Sequence, residues 1–315
     1  MKKIAAILMA VMMVLCTVSA LGEAQYTVGV IQLVTHDALD AATQGFIDAL
    51  NAEMGEGVVE VDVQNAAGDS NTCSTMANAF VAAEVDLILA NATPALQAAT
   101  AATADIPILG TSITEYGVAL GIDDFTGTVG GNVSGTSDLA PLDQQAAMIV
   151  ELFPEAKNIG LLYCSAEPNS QYQVDTVKAL LEGMGLNATL YPFADSNDAA
   201  AVAQNACDAS DVIYVPTDNT VAANTGIVDN ICQPAGIPVV AGEAGTCSGC
   251  GVATLSISYY DLGVTTGKMA AQILKGEADI ATMPIAYAEN FTPQYNAVIC
   301  EALGVSVPEN YIALP

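Results

Sequence analysis

The chain has 315 residues, with 35 acidic residues against six basic ones and a formal net charge of −29. All six basic residues are lysine, arginine and tryptophan are absent, and His36 is the single histidine. This balance excludes a nucleic-acid footprint, an arginine fork for phosphate or carboxylate, and chemistry that needs two histidines, while an apolar content of 52% excludes a disordered acidic tail and the length predicts two ordinary domains.

The chain opens on a targeting pattern. Lys2 and Lys3 precede an apolar run from Ile4 to Cys16 that is too short to span a bilayer, and Val18-Ser19-Ala20 supplies a small-residue cleavage site. Residues 1–20 therefore read as a signal peptide cut after Ala20, with a retained membrane anchor as the alternative. A lipid anchor at Cys16 is the less favoured third reading, because Leu15 stands where lipid attachment normally wants a small residue. Cleavage leaves four lysines against 35 acids, a charge of −31. The mature chain is expected to be exported, periplasmic or extracellular at the membrane surface.

After the leader, β-rich runs alternate with amphipathic helical runs, the pattern of parallel α/β layers. Strands are predicted over 26–34, 58–64, 86–91 and 106–110, with helices over 39–54 and 72–84. Thr93-Pro94 starts a further helix, since threonine caps well and proline suits the first helical position. Gly127–Leu142, rich in Gly, Ser, Thr and Asn, reads as a crossover. The series then restarts with strands over 158–164, 188–192, 211–216 and 237–241, and helices over 172–184, 197–209 and 217–230. Gly29 and Ile106-Pro107 recur 131 residues later as Gly160 and Ile237-Pro238. A repeated element order with a recurring offset predicts two similar α/β lobes. A last helix is predicted over 262–275, so the chain crosses between lobes more than once.

Seven cysteines follow the leader, an odd number, so at least one has no partner within the chain. Cys247-Ser-Gly-Cys250 has C-x-x-C spacing but lacks a second such pair and nearby histidine for zinc. It lies in the Gly-rich stretch Gly245–Gly251 and reads as a structural loop with undetermined pairing.

Several segments together resemble one family. They are Val30–Leu39 with Gly45–Leu50, Asp86–Ala98, Gly130–Gly135, the run Tyr214-Val-Pro-Thr-Asp-Asn-Thr220, and Tyr259–Gly263. In these the chain resembles the solute-binding proteins of ABC importers, in the branch that includes aromatic amino-acid binders. The resemblance implies a type I periplasmic-binding-protein fold: two doubly wound parallel-sheet lobes with a hinge and an interlobe cleft. It also implies a division into residues 21–133 plus about 258–277 for the N-terminal lobe, and 134–257 plus about 278–315 for the C-terminal lobe. The implied partners are a small-molecule ligand, an amino acid being favoured, and a membrane permease; a monomer without cofactor or metal is expected.

In open α/β sheets ligands bind beyond the carboxyl ends of the strands. That rule selects Gln32 and His36, Thr93 and Pro94, and Thr111 and Ser112 in the first lobe. In the second it selects Ser165, Glu167, Asn169 and Ser170, then Thr217, Asp218 and Asn219, then Glu243. Without arginine, a ligand carboxylate must be met by helix N-termini, hydroxyls and amides. Thr93, Ser165, Asn169 and Ser170 are assigned to that end, and Asp218 to a ligand ammonium. The same positions also read as helix caps: Thr93 and Thr217 by their hydroxyls, Asp218 by its charge. Tyr259 and Tyr260 read as packing at a crossover. Import is the leading function. A sensory module serving a separate receptor is the second reading. An exported hydrolase is the third, without a G-x-S-x-G elbow or HExxH motif to support it.

Overall fold

The computed structural model describes residues 24–315; the leader 1–20 and Cys16 lie outside the described residues. Two sheets carry the architecture. The first is built from β1 (Tyr26–Gln32), β2 (Val59–Asn65), β3 (Leu87–Asn91), β4 (Ile108–Ile113) and β5 (Val133–Ser137), with the short β11 (Ala286–Tyr287) at its edge. The second holds β6 (Asn158–Cys164), β7 (Asn187–Phe193), β8 (Val212–Val215), β9 (Val239–Ala241) and β10 (Ala253–Ser256). Beyond β10 it continues with β12 (Thr292–Tyr295) and β13 (Ile312–Ala313).

The first five strands of each sheet run in the same spatial order, 2-1-3-4-5 and 7-6-8-9-10. The recurring glycine has a spatial reason. A Cβ at Gly29 would fall 2.5 Å from the Phe80 ring, and one at Gly160 would fall 2.6 Å from both Ile213 Cδ1 and Ser210 Oγ. In each sheet the opening strand therefore lets a neighbouring side chain lie flat on it.

The helices of the first half are α1 (Asp37–Met54), α2 (Ser70–Ala82), α3 (Thr93–Ala102) and α4 (Tyr116–Leu120). Those of the second are α5 (Leu142–Leu152), α6 (Pro168–Gly183), α7 (Ser196–Ala209), α8 (Asn219–Ala222), α9 (Thr225–Ala235) and α10 (Ala244–Cys250). After them come α11 (Tyr259–Leu274) and α12 (Ala297–Leu303). No helix among the described residues is long and apolar enough to cross a membrane.

Three expectations change. The helix over 217–230 is two pieces. Asp218 caps α8 through the Val221 N–H, and the chain turns at Asn224 before α9 begins. The Gly-rich stretch is helical as far as Cys250, because Glu243 accepts from the N–H groups of Gly245 and Thr246 and so nucleates α10. Its cysteines fall at the fourth and last positions of that helix, not at its opening. Finally, residues 134–137 and 286–287 join the first sheet, although the expected division placed 134–257 and 278–315 with the second lobe. Val133–Ser137 pairs in parallel with β4, and β11 in turn pairs with β5.

The late helix α11 packs on α1, beside the first sheet. The two backbones approach so closely that a Cβ on Gly263 would meet the Ala42 carbonyl, and one on Gly267 would lie 2.5 Å from the Phe46 carbonyl. We predict that Gly263→Ala destabilises the fold by about 1–3 kcal/mol, because helix backbones must separate to admit the methyl. Urea denaturation checks this, and an unchanged midpoint would show that the crossing is loose.

Candidate functional site

The carboxyl ends of the strands in both sheets face a common cleft. On the first-lobe side, the chain turns from β3 into α3 through Ala92, whose φ is +92°, and Ser112 near the end of β4 has a φ of +56°. Two non-glycine residues in the left-handed region at adjacent strand ends mark local strain, which collects at functional sites. Thr93 and Pro94 open α3 without a side-chain cap on its free N–H groups. That N-terminus points a positive dipole end into the cleft.

On the second-lobe side, buried acids organise the loops. Glu167 Oε2 accepts from the Asn219 backbone N–H at 3.0 Å and its Nδ2 at 2.6 Å, and Oε1 accepts from Thr220 N and Oγ1 at 2.9 and 2.8 Å. Asp218 Oδ2 accepts from Cys164 N at 2.7 Å and Oδ1 from Val221 N at 2.9 Å. The Asp218 carboxyl is pushed up to about 7 by burial, and next by the nearby Glu167 charge. Asn169 donates to Ser170, to Glu167 and to the Thr217 carbonyl.

The lobes touch across the cleft. His36 Nε2 lies 3.2 Å from Asn219 Oδ1. Beside this contact is a cavity of about 220 Å³ shared by both lobes. Leu33, Val34 and Pro94 line it from the first lobe, and Cys164, Ala166, Glu167, Asn219 and Thr220 from the second. A second cavity of about 220 Å³ includes His36, Ala222, Ala223 and Gly245.

Of the sequence-selected residues, Pro94, Glu167 and Asn219 line the first cavity and His36 the second. Gln32 is tied up, donating to Val34 O and Asp40 and accepting from Thr43. Thr111 accepts from Thr136, and Ser165 is exposed with its hydroxyl on the Phe193 carbonyl. Thr217 lends its backbone to Gln173 and Asn169. Asp218 and Glu243 have both carboxylate oxygens on backbone N–H groups, the geometry of helix caps.

Asp138, which follows β5 in the first crossover, was not singled out from the sequence. It is 3% exposed, accepts from Tyr259 OH at 2.9 Å through Oδ2, and has no partner on Oδ1. Burial pushes its carboxyl up to about 6, against the lowering effects of the Tyr259 hydroxyl and of the nearby Thr114 hydroxyl. The only sequence signal was a lone acid between a strand end and Leu139, inside a stretch otherwise of small and polar residues. Further buried polar atoms without partners lie at strand ends and helix starts of both lobes: Asn91 Oδ1, Ser112 Oγ, Asn169 Oδ1, Thr246 Oγ1 and His36 Nδ1. Such atoms are rare in a finished interior and cost free energy until something pairs with them.

Comparison with known proteins identifies this arrangement. Residues 27–315 match the family described as ABC transporter substrate binding protein. The chain belongs to that family. It is 35% identical over 264 residues, 83% of this chain and 76% of the other, to a tyrosine-binding protein of Clostridioides difficile. A domain from Streptococcus pneumoniae solved in complex with L-Trp matches with a TM-score of 0.88 and 34% identity, over 92% of this chain and all of that one (100%). A ligand-free, open structure of a substrate-binding protein with adhesive properties from Clostridium difficile has 37% identity but a TM-score of 0.70, over 92% of this chain and 99% of that one. At similar identity and coverage, the lobes thus lie nearer the arrangement of the complex than that of the open form, in keeping with the His36–Asn219 contact. As a substrate-binding protein of an ABC transporter the chain works outside the cytoplasm and serves a membrane permease; nothing supports the hydrolase reading.

The raised acids set a pH dependence. Between the ordinary carboxylate value of 3.8 and about 7, the folded state holds protons at Asp138 and Asp218 that the unfolded state has released. Stability therefore falls as pH rises through that window and levels off above it. Urea midpoints from pH 4.5 to 8 should show the decline, and Asp138→Asn should flatten its part below about 6. A variant with the wild-type slope would remove Asp138 as a cause.

Proposed function

We propose that the protein captures an aromatic α-amino acid in the cleft and passes it unchanged to its permease. The observation that carries this is the set of unpartnered buried polar atoms at strand ends and helix starts of both lobes, in a chain with no arginine to place there. A zwitterion would supply both kinds of partner. Its carboxylate suits the open N-terminus of α3 at Thr93 and the Ser112 hydroxyl. Its ammonium suits the free oxygen of Asp138, with Asn169 Oδ1 as a further acceptor. Asp218, the sequence-based choice for the ammonium, is better employed as the cap that joins α8 to the end of β6. The apolar walls of the shared cavity, Leu33, Val34, Pro94 and Ala166, fit a ring. The names of the tyrosine-binding and L-Trp-bound relatives support the same side-chain class.

The test is a thermal-shift and calorimetric series with L-Tyr, L-Trp and L-Phe against their deaminated and decarboxylated analogues. Aromatic amino acids should stabilise the protein, and removal of either charged group should abolish the shift. Asp138→Asn should weaken amino-acid binding by about tenfold to a hundredfold, the scale of one charge-assisted hydrogen bond. Equal stabilisation by sugars, or none by any amino acid, would sink the proposal.

A further inference from the structure

The leader-cleaved chain carries seven cysteines, all buried, and six of them lie in the second half of the chain. Three point their sulfur at a backbone carbonyl: Cys164 at Ala194, Cys250 at Thr246 and Cys300 at Val252. Cys207 and Cys232 differ. Their Sγ atoms lie 2.9 Å apart, closer than sulfur atoms rest when merely touching. Cys207 is in the last turn of α7 and Cys232 in α9, and the two helices pack side by side on the second sheet, among Ala203, Val228 and Ile213. Proteins of this family work outside the cytoplasm, where disulfides form and persist.

We propose that Cys207 and Cys232 are a disulfide-forming pair that staples α7 to α9 in the exported protein. The C-x-x-C pair in α10, which sequence spacing makes the obvious candidate, is not the pair so placed. The oxidant is a disulfide of the extracytoplasmic space, small or protein-borne. One cysteine thiolate attacks it, displacing a first thiol and leaving a mixed disulfide. The second thiolate attacks the protein sulfur of that bond and displaces a second thiol, so two protein thiols are oxidised as one external disulfide is reduced. Both groups are buried in the fold, so the bond forms as the chain folds.

The bridge would close a loop that contains Asp218, Asn219 and Thr220, the corner that lines the cleft cavity. A closure of this length restricts the unfolded chain and fixes the corner from both sides. This inference does not depend on which ligand the cleft takes.

The test refolds the reduced mature chain with oxidised glutathione, blocks remaining thiols with an alkylating agent under denaturing conditions, and maps peptides by mass spectrometry without reduction. A peptide pair joined through Cys207 and Cys232 is expected. Reduction should then lower the melting temperature by about 5–10 °C, and the Cys207→Ala/Cys232→Ala double variant should no longer respond to reductant. Complete alkylation of Cys207, or its recovery joined to Cys250 or any other cysteine, would overturn the assignment. If the double variant does not fold, the wild-type peptide map decides alone.

Discussion

Among the described residues, the interior holds several acids and no cation paired with them. Asp138, Glu167, Asp218 and Glu243 are each at most 4% exposed, and the ion pairs among the described residues, Lys178–Glu182 and Lys275–Glu53, lie on the surface. A buried carboxylate without a counter-ion must be held by hydrogen-bond donors or give up its charge. Three of the four meet backbone N–H groups at the starts of α8 and α10, and these are the contacts that shape the second-lobe wall of the cleft. Asp138 is the exception, with a tyrosine hydroxyl on one oxygen and nothing on the other. The same rule that makes the other acids structural leaves this one with a carboxylate oxygen that no protein donor meets.

Closure and recognition share residues. Asn219 donates to Glu167 through Nδ2 and presents Oδ1 to His36 across the cleft, while its neighbour Thr220 fills the other Glu167 oxygen. Whatever enters the shared cavity touches Glu167, Asn219 and Thr220, so it bears on the group that carries the interlobe contact. Tyr259 couples the hinge in a similar way. Its ring packs with Ala42 and Leu262, where α11 meets α1, and its hydroxyl binds Asp138 in the first crossover. A binding event in the cleft and a hinge movement of the lobes thus bear on two groups of hydrogen bonds, Glu167–Asn219–His36 across the cleft and Tyr259–Asp138 at the crossovers.

The fold was legible because its signals are local and periodic. Gly29 and Gly160 could be aligned in one dimension because the steric demand behind them, a side chain lying on the opening strand, is the same in both lobes. What misled at 245–251 was treating glycine as turn chemistry; the helix there is set by Glu243, whose capping role depends on where its carboxylate lands. The strand-end rule found the right loops but could not separate a cap from a ligand contact. Asp218 and Asp138 are both single acids beside small polar residues. Only their partners distinguish them: Asp218 has a local one, Val221, but the Cys164 N–H on its other oxygen and the Tyr259 hydroxyl on Asp138 lie far along the chain. Long-range pairing of this kind leaves no mark at a fixed spacing.

The open oxygen of Asp138 also ties ligand charge to protons. A carboxyl that burial holds at about 6 loses its proton more readily when a cation is placed against it. Binding an ammonium there therefore releases a proton in mildly acidic solution, and acid competes with the ligand. In the proposed pose the opposite end of the ligand would meet a helix dipole, which supplies about half a positive charge and no titratable group. One anionic group can be accommodated by that device. A second would enter a cleft already holding Glu167, Asp218 and Glu243, inside a chain whose net charge repels anions at distances that salt screens beyond about 8 Å. On the proposed pose the acidic composition would disfavour dicarboxylates and phosphates, and a neutral ring in an apolar cavity would leave the charge balance of the cleft undisturbed.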